Sequence, residues 1–194
     1  MTQQSDPLQQ NRAFGGVIDV LEAIGAIYAI WGGLAVVAYG EPRFTMDMDV
    51  LVGHRGFAAD LFVKRLRETH YHVDRASVQR AVLEGGSFNV IHLDSHIKSD
   101  FYVRRGEPLL QRALEQRVYL PMDEIRDAAY VSVEDTIASK LRAYADSRST
   151  RHLQDVGSII RVQGSKLDAG AVDAVAARSN VLGVWRALWD ENAP

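Results

Sequence analysis

The chain has 194 residues, 47% hydrophobic and 24% charged, with a formal net charge of −3. That is enough for one compact domain, or a core with an appended lobe, and it excludes the globally basic field of many nucleic-acid binders. Cysteine is absent, which excludes a disulfide framework and a thiolate zinc site and makes a reducing, cytoplasmic setting the expectation.

The N-terminus, MTQQSDPLQQ, is polar and lacks a cationic start followed by an apolar core, so no signal peptide is expected. Phe14, Val17, Ile18, Leu21 and Ile24 follow the i, i+3, i+4 rhythm of an amphipathic helix that Gly25 can close. From Ala23 to Gly40 there is no charged side chain over eighteen residues, a length that reaches the threshold for a spanning helix. Glycines at 25, 32, 33 and 40 interrupt it, and Gly-Gly breaks local structure. The stretch is therefore expected to form a buried strand over Ile27–Trp31, a turn, and a buried helix over Leu34–Tyr39, with no membrane span.

A loop at Gly40-Glu41-Pro42 leads into a predicted strand over Phe44–Val52, which carries two aspartates one residue apart. Side chains at i and i+2 point to the same face of a strand. Two carboxylates ~6 Å apart repel by roughly 3 kcal/mol at an effective dielectric near 20, so the pattern asks for a cation. If the strand begins at Arg43, one face carries Arg43, Thr45, Asp47 and Asp49, and the other Phe44, Met46 and Met48. A helix over Phe57–Glu68 is expected to turn Leu61, Phe62 and Leu66 inward. A turn at Glu84-Gly85-Gly86 precedes strands over Phe88–Leu93 and Ile97–Val103. On the second of these Asp100 shares its face with Lys98 and Tyr102. A helix over Pro108–Gln116 and a short strand over Arg117–Leu120 follow.

Beyond this the pattern is helical. Ser132-Val133-Glu134-Asp135 has capping spacing ahead of Ile137, Leu141 and Tyr144. Further helices are expected over Thr150–Val162, Ala169–Ala177 and Val181–Asp190. The fold class is α+β: a small mixed sheet with flanking helices over residues 1–128, then a helical portion over 129–194, with a soft boundary.

Three carboxylates from two strands, Asp47, Asp49 and Asp100, suit Mg2+, a hard ion that takes oxygen ligands and keeps several waters, and suit two-ion phosphoryl chemistry. Gly32-Gly33, between strand and helix, lets backbone N–H groups approach a phosphate; a plain tight turn is the alternative. These residues carry a resemblance. G-G, thirteen residues, D-x-D in an apolar strand and a later single aspartate look like the nucleotidyltransferase fold of the DNA polymerase β superfamily. The version G-G-L-A-V…Y-G…R-x-T-x-D-x-D-V resembles its small bacterial branch that includes the AbiEii and MenA-type toxins. Ile137-Ala138-Ser139-Lys140-Leu141-Arg142-Ala143 with Arg148, Arg151 and Asp155 is similar to that branch's K-L-x-A…R…R-D-x-x-D segment, except that His152 stands where the branch usually has Asp.

The resemblance implies that Asp47 and Asp49 bind Mg2+ and an NTP. Asp100 would be the third carboxylate at the metals and acceptor hydroxyl, with two ions during catalysis. It further implies that Gly32 and Gly33 hold the triphosphate, that Arg43 and Thr45 assist nucleotide binding, and that Lys140 and Asp155 complete the catalytic set. Read by itself, Lys140 shares a helical face with Ile137, Leu141 and Tyr144, so it either snorkels over apolar surface or reaches toward the triphosphate. The implied reaction moves a nucleoside monophosphate to an acceptor hydroxyl on a tRNA 3′ end, a protein or a small molecule such as an antibiotic. An antitoxin protein is a possible partner, and a non-catalytic nucleotide-binding module is the alternative. His70, His72, His92 and His96 read as surface residues, Arg104-Arg105 as a solvated loop, and Trp185 with Trp189 as packing.

Overall fold

The computed structural model describes residues 7–193; the N-terminal expectation of no signal peptide falls in part on residues 1–6, outside that range. In chain order the elements are α1 (Pro7–Ala23), β1 (Tyr28–Trp31), α2 (Gly32–Tyr39), β2 (Met48–Val52), α3 (Ala59–Glu68), β3 (Tyr71–Val73), α4 (Arg75–Glu84), β4 (Gly86–His92), β5 (Lys98–Val103), α5 (Pro108–Glu115), β6 (Val118–Pro121), β7 (Asp127–Tyr130), α6 (Val133–Ser147), α7 (Thr150–Gln163), α8 (Ala169–Arg178) and α9 (Leu182–Asn192). They fall into two compact units. One comprises the residues up to Ile30 with Thr45–Tyr130; the other comprises Trp31–Phe44 and the chain from Val131 onward.

The first unit is built on a mixed sheet ordered β3-β4-β5-β2-β1-β7-β6. β2 and β5 run parallel, while β4 is antiparallel to β5 and to β3. Alternation gives each strand two chemistries. Met48, Val50, Val52, Phe101 and Val103 are fully or nearly fully buried; between them stand Asp49, Asp100 and Tyr102, which are half-buried. The apolar side is an aromatic cluster: Phe88 stacks on its cross-strand partner Phe101 at 4.7 Å, and Phe62 of α3 meets both edge-on. Such pairs add to the burial of their area. The opposite side of β2 and β5 carries the polar set together with the buried Leu51.

Helix α1 closes against β3 at a glycine. An added Cβ at Gly16 would collide with the Tyr71 hydroxyl, which donates to the Ala13 carbonyl at 2.7 Å. Gly16→Ala is therefore expected to push Tyr71 out of place and to cost about 1–3 kcal/mol, as overpacking does. A urea midpoint unchanged from wild type would show that α1 can shift freely.

The second unit packs α2 against α6 and α7, α6 against α8, and α9 against α7 and α8. Ser132 caps α6 by accepting from Asp135 N–H at 3.1 Å, as the S-x-x-D spacing predicts. Trp185 is 1% exposed, donates Nε1–H to Asp173 at 2.8 Å and lies 5.6 Å from Trp189, so the pair is packing. Among the described residues no helix is long and apolar enough to cross a membrane. The charge-free stretch before Gly40 instead makes the end of α1, then β1 and α2.

Several boundaries differ from expectation. The acidic strand starts at Met48, not Phe44, because the backbone before it bonds to side chains rather than to a ladder: Thr45 O accepts from Gln10 Nε2 at 2.6 Å, and Thr45 Oγ1 donates to Asp47 O at 3.5 Å. α2 begins at Gly32, so Gly32-Gly33 is the helix's first turn and not a separate turn. Leu61 is 41% exposed, since the buried stripe of α3 is Phe62, Val63 and Leu66. β3, α4 and β7 were not expected. β3 has three residues, and β7 is DAAY, whose alanines have weak strand preference. α4 does carry a readable start, Asp74 accepting from Ser77 N–H at 2.9 Å.

Candidate functional site

In the first unit, Asp49 stands directly beside Asp100 across the parallel β2–β5 ladder. Paired residues of adjacent strands share a face, so the two carboxylates come from different strands onto one side. Asp47 lies immediately before β2, on irregular backbone fixed by Thr45. Expected strand alternation fails there, and Arg43 and Thr45 do not share a strand face with the aspartates. Thr45 is 8% exposed, and its hydroxyl reaches the backbone carbonyl of Asp47.

Two further side chains complete this cluster. Lys98 Nζ pairs with Asp100 Oδ2 at 2.6 Å, with the lysine side chain 44% exposed and the aspartate 14%. This bond raises the Lys98 ammonium above its ordinary range, and the charges of Asp100, Asp47 and Asp49 add to it. Burial, then the charges of Asp49 and Asp100, push the Tyr102 phenol up to about 12. All three carboxylates are thus felt at both neighbours, which places them in one field.

The donor set suits a hard divalent cation. Asp47 and Asp49 offer carboxylate oxygens at half-buried positions, and Mg2+ is ordinarily held by one or two carboxylates together with substrate phosphates and water. Among the described residues no group of three or more His, Asp or Glu stands ready to hold a metal ion. Asp100 is paired with Lys98.

The second unit has its own ionic cluster. Asp155 is 3% exposed and is gripped by Arg43, Nε to Oδ1 at 2.8 Å and Nη2 to Oδ2 at 3.1 Å. Lys140 Nζ adds a bond to Oδ2 at 3.0 Å, its own side chain 12% exposed. Lys140 therefore neither snorkels to water nor stands alone; it is a buried, paired cation. His152 lies beside it, and burial followed by the Lys140 charge hold its imidazole below the ordinary value. The loop carrying Arg43 is stitched to α7 at further points: Glu41 N–H donates to Ser158 Oγ at 2.7 Å, and Arg161 grips Glu41 at 2.7 and 2.8 Å. Gly40 lies so close to Ser158 Oγ that any side chain there would collide with it.

At the start of α2, no side-chain oxygen caps the helix, and Gly32 has φ +67°, a left-handed value that glycine adopts without strain. A helix N-terminus carries N–H groups and a positive dipole end that suit an anion.

Each unit gathers part of the expected set: Asp47, Asp49, Asp100 and Thr45 in the first, Gly32, Gly33, Arg43, Lys140 and Asp155 in the second. Lys98 and Tyr102 were visible in the sequence only as residues sharing the face of Asp100. Ser158 and Arg161 carried no signal, because their partners are more than a hundred residues away.

The model of the AbiEii nucleotidyl transferase toxins, of type IV toxin–antitoxin systems, matches residues 28–186. A search among curated proteins finds no match. The fold is similar to that of the antibiotic-resistance factor ANT(2″)-Ia, crystallised in complex with adenylyl-2″-tobramycin, at TM-score 0.61 and 14% identity over 89% of this chain and 97% of that one. It is also similar to an antigenic nucleotidyltransferase-like protein from Paracoccidioides brasiliensis (TM-score 0.57, 14% identity, 95% and 94% covered). A third likeness is to the nucleotidyltransferase toxin MenT4 from Mycobacterium tuberculosis (0.53, 13%, 96% and 67%). These likenesses bear out the α+β nucleotidyltransferase fold.

Proposed function

We propose that this chain, which belongs to the AbiEii nucleotidyltransferase toxin family, moves a nucleoside monophosphate from an NTP to an acceptor hydroxyl on RNA, such as a tRNA 3′ end, or on protein, releasing pyrophosphate, and acts in the cytoplasm as the toxin of a toxin–antitoxin pair. The observation that carries this reading is the meeting of Asp49 and Asp100 across the β2–β5 ladder, with Asp47 just ahead of β2. Asp47 and Asp49 would hold Mg2+, which when bound supplies Lewis-acid stabilisation of the phosphoryl oxygens. Asp100 takes the proton of the attacking hydroxyl as general base. The N–H groups at Gly32 and Gly33 bind the triphosphate. Arg43 and Lys140 serve the same anion as fixed cations, and Asp155 positions them. In such a reaction most of the rate comes from orientation and from preorganised charge.

A small-molecule acceptor is a second reading, favoured by one observation: the likeness spans 97% of ANT(2″)-Ia but 67% of MenT4. Incubation of the purified protein with each labelled NTP and Mg2+, in parallel with total cellular RNA, total protein and tobramycin, tests both. Label on RNA or protein is the expected result, and label on tobramycin alone supports the second reading. No transfer from any NTP in any arm would overturn the function.

A further inference from the structure

Asp100 is less available to a metal than its place beside Asp49 suggests. Lys98, two residues earlier on β5, holds Oδ2 at 2.6 Å. On the neighbouring strand Asn89 is the cross-strand partner of Asp100. With its amide turned so that the nitrogen faces the carboxylate, it donates to Oδ1 at 2.6 Å. Both oxygens therefore have a donor, one of them charged. Three carboxylates, Asp47, Asp49 and Asp100, and one ammonium, Lys98, sum to a net charge of −2. A second ion at Asp100 would have to sit against the Lys98 ammonium, or turn it out and give up its bond to Oδ2 at 2.6 Å.

We propose that Lys98 is a built-in cation of the carboxylate site, its ammonium holding the place beside Asp100 that a second divalent ion would take, so that the chain binds one divalent ion with its nucleotide. The inference rests on the reading of Asp47 and Asp49 as metal ligands. Lys98 is a positioning residue for Asp100: it supplies fixed positive charge without dissociating, and it aims the carboxylate together with Asn89.

Protein-bound Mn2+ is counted by electron paramagnetic resonance on the full chain, saturated with an NTP analogue whose α–β bridge is methylene. Wild type is expected to hold one ion per chain, Lys98→Met two, and Lys98→Arg one. Asp47→Asn should lose the single ion of the wild type. Two ions in wild type, or one in a folded Lys98→Met, would overturn the role of Lys98 while leaving the metal reading intact. No bound ion in wild type overturns the metal reading itself, and the inference with it. The wild-type count decides even if the Met variant does not fold.

Discussion

Asp49→Asn and Asp47→Asn are each expected to lower nucleotidyl transfer by about 10³-fold or more, equivalent to roughly 4 kcal/mol of lost transition-state stabilisation, without lowering the melting temperature. The two halves of this expectation come from the same arrangement. An amide is isosteric with the carboxylate, so neither the β2–β5 ladder nor the aromatic cluster on its other side is touched. The substitution removes one of three like charges that Lys98 only partly offsets, so the folded state loses repulsion, and the side-chain oxygen of an asparagine at position 49 can still accept from the Tyr102 hydroxyl. What the amide cannot do is bind a hard cation with a full negative charge. Single-turnover transfer from labelled NTP, with calorimetric or fluorimetric melting of the same samples, checks both halves. Full activity in either variant sinks the metal role of that aspartate, and a large drop in melting temperature would mean the carboxylate is structural.

Asp49 was legible because an acidic residue inside an apolar strand has few structural explanations; Asp47 was read onto the same face by a strand period of two that does not reach it, since β2 starts at Met48. The Gly-Gly ahead of it and the cap at Ser132 were legible for similar reasons: each is a local solution to a local backbone problem. The sequence misled at residues 43–47. There the local pattern was strand-like, but Gln10 takes the Thr45 carbonyl and Asp155 takes the Arg43 guanidinium, two partners 35 and 112 residues away. Asn89 against Asp100 was hidden for a related reason. Its place depends on the antiparallel register of β4 on β5, which one strand's pattern does not encode. Lys98 was in plain view at i−2 from Asp100, but a lysine on a strand is ordinarily solvated, and only the 2.6 Å pairing separates it from that background.

Asp155→Ala is the substitution expected to damage stability most. Asp155 is 3% exposed, and its two oxygens carry three bonds from Arg43 and Lys140. Removing one partner of a buried ionic set leaves the others desolvated without compensation, which costs about 3–5 kcal/mol. Lys140→Met should cost clearly less, because Arg43 still grips both oxygens in the bidentate geometry that makes such pairs strong. The double variant Lys140→Met with Asp155→Ala should then be less damaged than the sum of the two singles, with a coupling of about 0.5–3 kcal/mol, since it no longer strands the lysine. Urea unfolding of the full chain measures all three. Transfer kinetics separate structure from function in the same series: if Lys140 binds the triphosphate, Lys140→Met raises KM for the NTP, and a loss of uniform binding leaves kcat nearly unchanged. An Asp155→Ala protein within about 1 kcal/mol of wild type would show that water replaces the carboxylate between the two cations. The cluster would then be a solvated surface pair, and Arg43 and Lys140 would lose the fixed geometry on which their assigned role depends.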